Sequence, residues 1–226
     1  MTNRGQQDFI HMPGFATRLY ASLTYLESIH KQHQEIASDL TARIDSGILL
    51  DVGTGPGFLL AEIHRLKPEI ELHGLDISSA MVELARKRLG NNPADLRVGD
   101  ISNSKYPDTY FDIVTCTGSF YLWNEPEKGL MEIHRILKVG GSAFLFETYR
   151  DHDEYEVLKA IRNNLRFENW LRRFISPRFL MRQFQMTYTT DEIAEIVKRT
   201  PFAHNFGIEK IVLGGLPAWL RIRLSR

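Results

Sequence analysis

Cysteine is nearly absent: Cys116 is the only one in 226 residues. One thiol cannot form an intrachain disulfide or build a zinc site that needs several thiolates, and an intracellular setting follows. Net charge is missing too, since 28 basic residues balance 28 acidic ones. No overall field therefore draws the chain to nucleic acid or to an anionic membrane surface. No apolar run is long enough to cross a bilayer, and Met1 to Gly14 lacks a signal-type apolar core. Internal repeats, low-complexity tracts and an interdomain linker are likewise absent, and this length supports one α/β domain with additions. The expectation is a single cytoplasmic domain, 1–226, without nucleic-acid, membrane or metal partners, its oligomeric state open.

What is present is organised around Ile48-Leu49-Leu50-Asp51-Val52-Gly53-Thr54-Gly55-Pro56-Gly57-Phe58. An apolar run too short for a helix enters a glycine-rich turn, after which Phe58, Leu59, Leu60, Ile63 and Leu66 recur at helical spacing. The pattern reads as strand, tight turn, helix, with Pro56 placed in the first helical turn. Glycines let the turn bend sharply and let a ligand lie against bare backbone. The spacing differs from the dinucleotide fingerprint, because Phe58 stands where a third glycine belongs. Asp51 repels a phosphate at that place and attracts a cation. A ligand carrying positive charge is implied, and S-adenosylmethionine, with its ammonium and sulfonium, fits.

The stretch Leu50 to Gly57 closely resembles motif I of the class I S-adenosylmethionine-dependent methyltransferases. A second resemblance lies in Glu132 to Gly141, similar to the family's later motif, with Val139 where proline is usual. The resemblance runs from around Phe15 to the C-terminus. It implies an α/β, doubly wound, mostly parallel seven-stranded sheet with helices on both faces and an antiparallel C-terminal hairpin strand, in the order 3-2-1-4-5-7-6.

Along the chain, apolar residues at helical spacing from Phe15 to Ile44 predict one or two cap helices within 1–45, closed at Ser46-Gly47. By the resemblance, Tyr20 there reaches the cofactor's methionine end. The core, 46–150, contains strands at Ile70–Leu75, Leu96–Gly99, Tyr110–Thr117 and Ser142–Thr148. A helix capped by Ser78 has Met81, Leu84, Ala85 and Leu89 as its inner face, and one begun by Pro126 turns Leu130, Ile133 and Leu137 inward. Asp51, Asp76 and Asp100 then end three successive strands on one edge. Three such acids are electrostatically wasteful without a cationic, polyhydroxylated ligand. Asp76 is placed for the ribose hydroxyls; with the ligand as its partner, its loss leaves the free protein's stability nearly unchanged. The resemblance further implies that Ile77 and Met81 flank the adenine, that Asp100 accepts from its amino group and that Ile101 covers the ring. Gly53, Thr54, Gly55, Gly57 and Thr117 complete the cofactor set.

Phe120, Tyr121 and Trp123 follow strand four, where the family places residues around the methyl group; Tyr121 and Trp123 are the substrate candidates. Residues 151–188 break the alternation and read as a substrate lid, with arginines that weakly favour an anion. Residues 189–226 hold a helix with a capping box at Thr189 and Glu192, then a hairpin with the turn Gly214-Gly215-Leu216-Pro217. The implied activity is methyl transfer to a small molecule by aligned, water-free attack, with no obligatory base. His30, His33, Tyr20 and Tyr121 are the candidates if a proton must leave, although histidines on an amphipathic helix are more often packing residues. A non-catalytic cofactor-binding module and a nicotinamide-dependent oxidoreductase remain as alternatives.

Overall fold

A computed structural model of the chain describes residues 27–166, 177 and 181–226. Tyr20, most of the first cap-helix region and part of the 151–188 insert lie outside the described residues.

The described chain begins with α1 (Glu27–Thr41) and enters β1 (Gly47–Val52), α2 (Phe58–Leu66), β2 (Ile70–Asp76), α3 (Ser79–Leu89) and β3 (Asp95–Val98). A short 3-10 turn (Ile101–Asn103) precedes β4 (Phe111–Thr117), and another (Phe120–Leu122) leads into α4 (Pro126–Ile136) and β5 (Leu137–Thr148). Then come α5 (Glu154–Asn164), α6 (Thr190–Lys198), β6 (Phe206–Leu213) and β7 (Leu216–Ser225). One seven-stranded sheet results, in the order β3-β2-β1-β4-β5-β7-β6. β1 to β5 pair in parallel, while β7 is antiparallel to both β5 and β6. The expected topology is the observed one.

The apolar strands dictate this layering. Leu49 of β1 and Ile113 of β4 face a core shared with α1, α2, α3 and α5, including Ile36, Leu60, Val82 and Ile161. Their neighbours Leu50 and Val114 face a second core on the other side, with Ile133 of α4 and Val197 of α6. A strand buried on both faces needs apolar residues at successive positions, which is why β1 carries Ile48-Leu49-Leu50 and β4 Ile113-Val114 in sequence.

Several boundaries differ from expectation. α1 stops at Thr41, so Gly47 opens β1 instead of closing a helix. α2 begins only at Phe58, with Gly57 as its N-cap, so Pro56 lies in the preceding turn. On α3, Val82 is buried in place of Leu84, which is only half-buried. β5 reaches back to Leu137, pairs it with Phe111 and passes through a register shift before Ser142, so no separate loop follows α4. Ile136, not Leu137, is therefore the last inward residue of α4. The hairpin turns on Gly214-Gly215 alone, because Leu216 already pairs with Leu213. Pro217 is tolerated in β7 because the pairing with β5 begins only at Trp219.

The insert is less detached than a lid. Val157 and Ile161 of α5 and Phe184 beyond it are buried in the same core as α1 and α2. That packing ties both ends of the insert to the body of the protein.

Candidate active site

The carboxyl ends of the parallel strands border two cavities, as expected where strand order reverses in an open α/β sheet. The larger, about 220 Å³, is lined by Gly53, Thr54, Gly55, Asp76, Met81, Thr117 and Tyr121, among others. The smaller, about 60 Å³, is lined by Gly53, Asp76, Ile77, Asp100, Ile101 and Trp123. Gly53, Asp76, Ser119 and Leu122 line both, so they mark the boundary between the two. Nine of the predicted cofactor residues thus gather at two adjoining hollows, together with Tyr121 and Trp123.

Gly53 lies at φ 71°. A Cβ there would come within 2.1 Å of Ser119 Oγ, so a side chain is excluded by conformation and by space. Gly57 lines neither cavity. Its missing side chain serves the packing of α2 on α3, since a Cβ would meet Ala85 at 3.0 Å.

Asp76 does not wait for a ligand alone. Its Oδ2 accepts from the Gly55 N–H at 2.8 Å and its Oδ1 from the Ser78 N–H at 2.9 Å. The carboxylate therefore ties the glycine turn to the end of β2, and the expectation of an idle partner in the free protein fails. Burial raises its pKa, and those two amides oppose the rise. Asp100 is likewise engaged, its Oδ1 accepting from the Ser102 N–H at 2.8 Å to cap the 3-10 turn.

Asp51 is placed differently from the expectation of three strand-ending acids. β1 runs on to Val52, which turns Asp51 inside, where it is 2% exposed and lines neither cavity. Its Oδ1 has no hydrogen-bond partner. Burial pushes its pKa up to about 7; the Thr54 hydroxyl opposes that rise and the nearby Asp76 adds to it. Asp100, for its part, lies two residues past the end of β3.

Ile77 and Met81, expected to flank one ring, line different cavities: Ile77 the smaller, Met81 the larger. Of the three aromatics after β4, Tyr121 alone lines the larger cavity. Trp123 opens onto the smaller one because its ring lies against Gly129 of α4 and beside Phe120, at 5.0 Å and 77°. Phe120 is fully buried and lines neither.

The two histidines of α1 separate. His30 is exposed, accompanied by Gln34 and by Glu62 at 3.6 Å, and lines neither cavity. His33 lines the larger cavity and packs on Phe58. Its Nδ1 lies 2.8 Å from the Ile29 carbonyl, which only accepts, so the proton sits on Nδ1 and leaves Nε2 as an acceptor. Burial lowers its pKa and keeps it neutral.

Sequence reasoning missed Glu147. Its Oε1 accepts from the N–H groups of Ser119 (2.8 Å) and Phe120 (2.7 Å), which fixes the turn after β4. Oε2 has no partner, and burial pushes the pKa up to about 8. The signal was available: an acid ending the apolar run Ala143-Phe144-Leu145-Phe146 of a buried strand needs a partner at that strand end. Among the described residues, no group of three or more His, Cys, Asp or Glu is arranged to hold a metal.

Sheet order and strand-end cavities are those of a Rossmann-like α/β fold. Residues 50–145 match the family model described as a methyltransferase domain. Among curated proteins, the chain is 33% identical over 105 residues to the uncharacterized methyltransferase YdaC of Bacillus subtilis, covering 46% of this chain and 58% of that protein. It is 37% identical over 101 residues to demethylmenaquinone methyltransferase of Deinococcus radiodurans, covering 44% and 42%. The chain thus spans about half the length of these relatives. In fold it is similar to the plantazolicin methyltransferase BamL, solved with a triazolic desmethylPZN analog and S-adenosylhomocysteine, at a TM-score of 0.73 and 17% identity over 97% of this chain and 93% of that one. A SAM-dependent methyltransferase from Aquifex aeolicus gives 0.65 and 16%, covering 92% and 98%.

Proposed function

We propose that the protein transfers the methyl group of S-adenosylmethionine to a nucleophilic atom of a small-molecule substrate. The observation that carries this reading is the acidic, two-chambered strand edge: Asp76 on the boundary of both cavities, and Asp51 buried behind the glycine turn with an unpaired oxygen. A cation fits there, whereas a pyrophosphate meets like charge, which removes support from the nicotinamide alternative. Thr117 Oγ1 is also buried without a partner, as expected of a group that awaits a polar ligand.

In this reading Asp76 holds the ribose hydroxyls, and Asp100, Ile77, Ile101 and Trp123 surround the adenine. Trp123 thereby moves from the substrate set to the cofactor set. Gly53, Thr54 and Gly55 present backbone to the methionine end, joined by Met81 and Thr117, while Asp51 and Gly57 act from behind. The bound cofactor supplies an activated methyl group on a cationic sulfur. The chain's own contribution is alignment and exclusion of water, which reaches about 7–11 kcal/mol in favourable cases. Tyr121 stays a substrate contact, and His33 Nε2, neutral and unprotonated, is the acceptor for any proton the nucleophile must shed. His30 has no part. The names of relatives that act on quinones or on plantazolicin support a small organic substrate. No helix among the described residues is long and apolar enough to cross a membrane, and we place the protein in the cytoplasm.

Calorimetry with S-adenosylmethionine, S-adenosylhomocysteine and NAD tests the assignment. Binding of the first two with no heat from NAD is expected; the reverse would sink it. The same titrations carry a pH prediction. Near neutral pH Glu147 largely and Asp51 in part hold protons in the free protein, because burial raises their pKa values to about 8 and about 7. A bound cation favours the carboxylates, so S-adenosylmethionine releases protons near neutral pH, and release fades well above pH 8, where both acids are already ionised. Titrations in buffers of different ionisation enthalpy count those protons. The uncharged sulfur of S-adenosylhomocysteine should release fewer, and equal release from both would remove the electrostatic argument.

A further inference from the structure

α3 passes close under the glycine turn because Gly57 has no side chain to meet Ala85. Arg88 stands three residues beyond Ala85, on the same face of α3, whereas its neighbours Arg86 and Lys87 are exposed. The crossing lays the Arg88 guanidinium on the turn. Its Nε donates to the Pro56 carbonyl at 2.9 Å, and its Cζ lies 3.5 Å from the centroid of the Phe58 ring. Pro56 stands one residue before the N-cap Gly57, so the α2 ladder has no amide for that carbonyl. Phe58 in turn is the ring on which His33 packs, at 5.5 Å and 35°. Pro56, Phe58 and His33 all line the larger cavity, and Arg88 acts from behind that wall.

A guanidinium can make both contacts at once, because it stacks through its face while it donates in its plane. Asp76 and the Leu75 carbonyl hold the start of the glycine turn through the amides of Gly53, Thr54 and Gly55. Arg88 holds its far end. We propose that Arg88 is a positioning residue for methyl transfer, fixing the end of the glycine turn through Pro56 and the His33 ring through Phe58. The proposal rests on the methyl-transfer reading. The charged and titratable groups that face His33 are His30 of α1, Glu62 of α2 and Arg88 of α3. Burial is the first cause of its lowered pKa; His30 and Arg88 add to it, and the Ile29 carbonyl and Glu62 oppose it.

The test uses the full chain with Arg88→Met, which keeps an apolar stem over the ring, and Arg88→Lys, which keeps the charge without a planar face. In calorimetry Arg88→Met should bind S-adenosylhomocysteine about tenfold more weakly, and Arg88→Lys should recover little of that loss. Nuclear magnetic resonance follows the His33 imidazole in the ligand-free proteins, its signal assigned with His33→Gln. The His33 pKa should rise in Arg88→Met, because a neighbouring cation is gone. A role confined to the stability of α3 would lower the melting temperature and move neither the binding nor the titration. Undiminished binding by Arg88→Met overturns the proposal, as does an unmoved His33 titration in that variant or full recovery of binding by Arg88→Lys. Should Arg88→Met fail to fold, Arg88→Lys decides alone: weakened binding with a displaced His33 signal supports the proposal, and binding equal to the natural protein's overturns it. Failure of the natural protein to bind S-adenosylhomocysteine would strike the methyl-transfer reading instead, while the His33 titration still judges the contact from Arg88.

Discussion

Asp76→Ala is expected to weaken S-adenosylhomocysteine binding by about 10²- to 10⁴-fold, the combined effect of two charge-assisted bonds to ribose worth ~1.5–3 kcal/mol each. The free protein should also lose stability, because the same carboxylate holds the Gly55 and Ser78 amides. About 1–3 kcal/mol is at stake there, since water can reach those half-buried groups once the side chain is gone, and the melting temperature should fall by several degrees. Asp76→Asn separates the two roles. It keeps the shape and one accepting oxygen, enough for one of the two amides, so it should recover part of the stability while binding stays weak for want of the charge. Melting curves and calorimetry on both variants decide the matter. Undiminished binding by Asp76→Ala would remove Asp76 from the ribose.

The two halves of that prediction show what the sequence does and does not carry. The place of Asp76, at the end of the second strand after the glycine turn, was legible because strand, turn and helix signals are local. Sheet order was legible too, through the resemblance and through apolar runs such as Tyr110 to Thr117 that only a doubly covered strand requires. Its second partner, the Gly55 amide 21 residues earlier, was not, because it depends on how far the turn folds back over the sheet. Helix periodicity placed His30 and His33 together, yet a rotation of about 300° over three residues is enough to send one to Glu62 and the other to the cavity. Gly57 misled for a similar reason. A glycine beside a ligand turn and a glycine under a helix crossing look the same until Ala85 is seen 3.0 Å from where its Cβ would be.

Glu147 gives the largest expected structural effect. Its one carboxylate oxygen receives two backbone N–H groups from the turn that brings Ser119 to the boundary of both cavities. Glu147→Ala strands both donors at a buried strand end, at about 1–3 kcal/mol apiece, so a loss of ~2–6 kcal/mol is expected. The turn should loosen with it, and the KM for S-adenosylmethionine should rise. Glu147→Gln retains the accepting oxygen, so it should keep the turn and the KM near those of the natural protein. pH separates the charge from the hydrogen bonds. Because burial lifts this pKa from 4.5 to about 8, the folded state holds a proton that the unfolded state releases. Its contribution is therefore favourable at low pH and is lost as pH rises from about 4.5 to about 8, then stays constant. The glutamine variant has no such dependence. Its melting temperature should gain on that of the natural protein across this window and run parallel above it. Parallel curves throughout would mean that the carboxylate is ionised in the folded protein. A glutamine variant as unstable as the alanine one would show that the charge, and not the accepting oxygen, holds the turn.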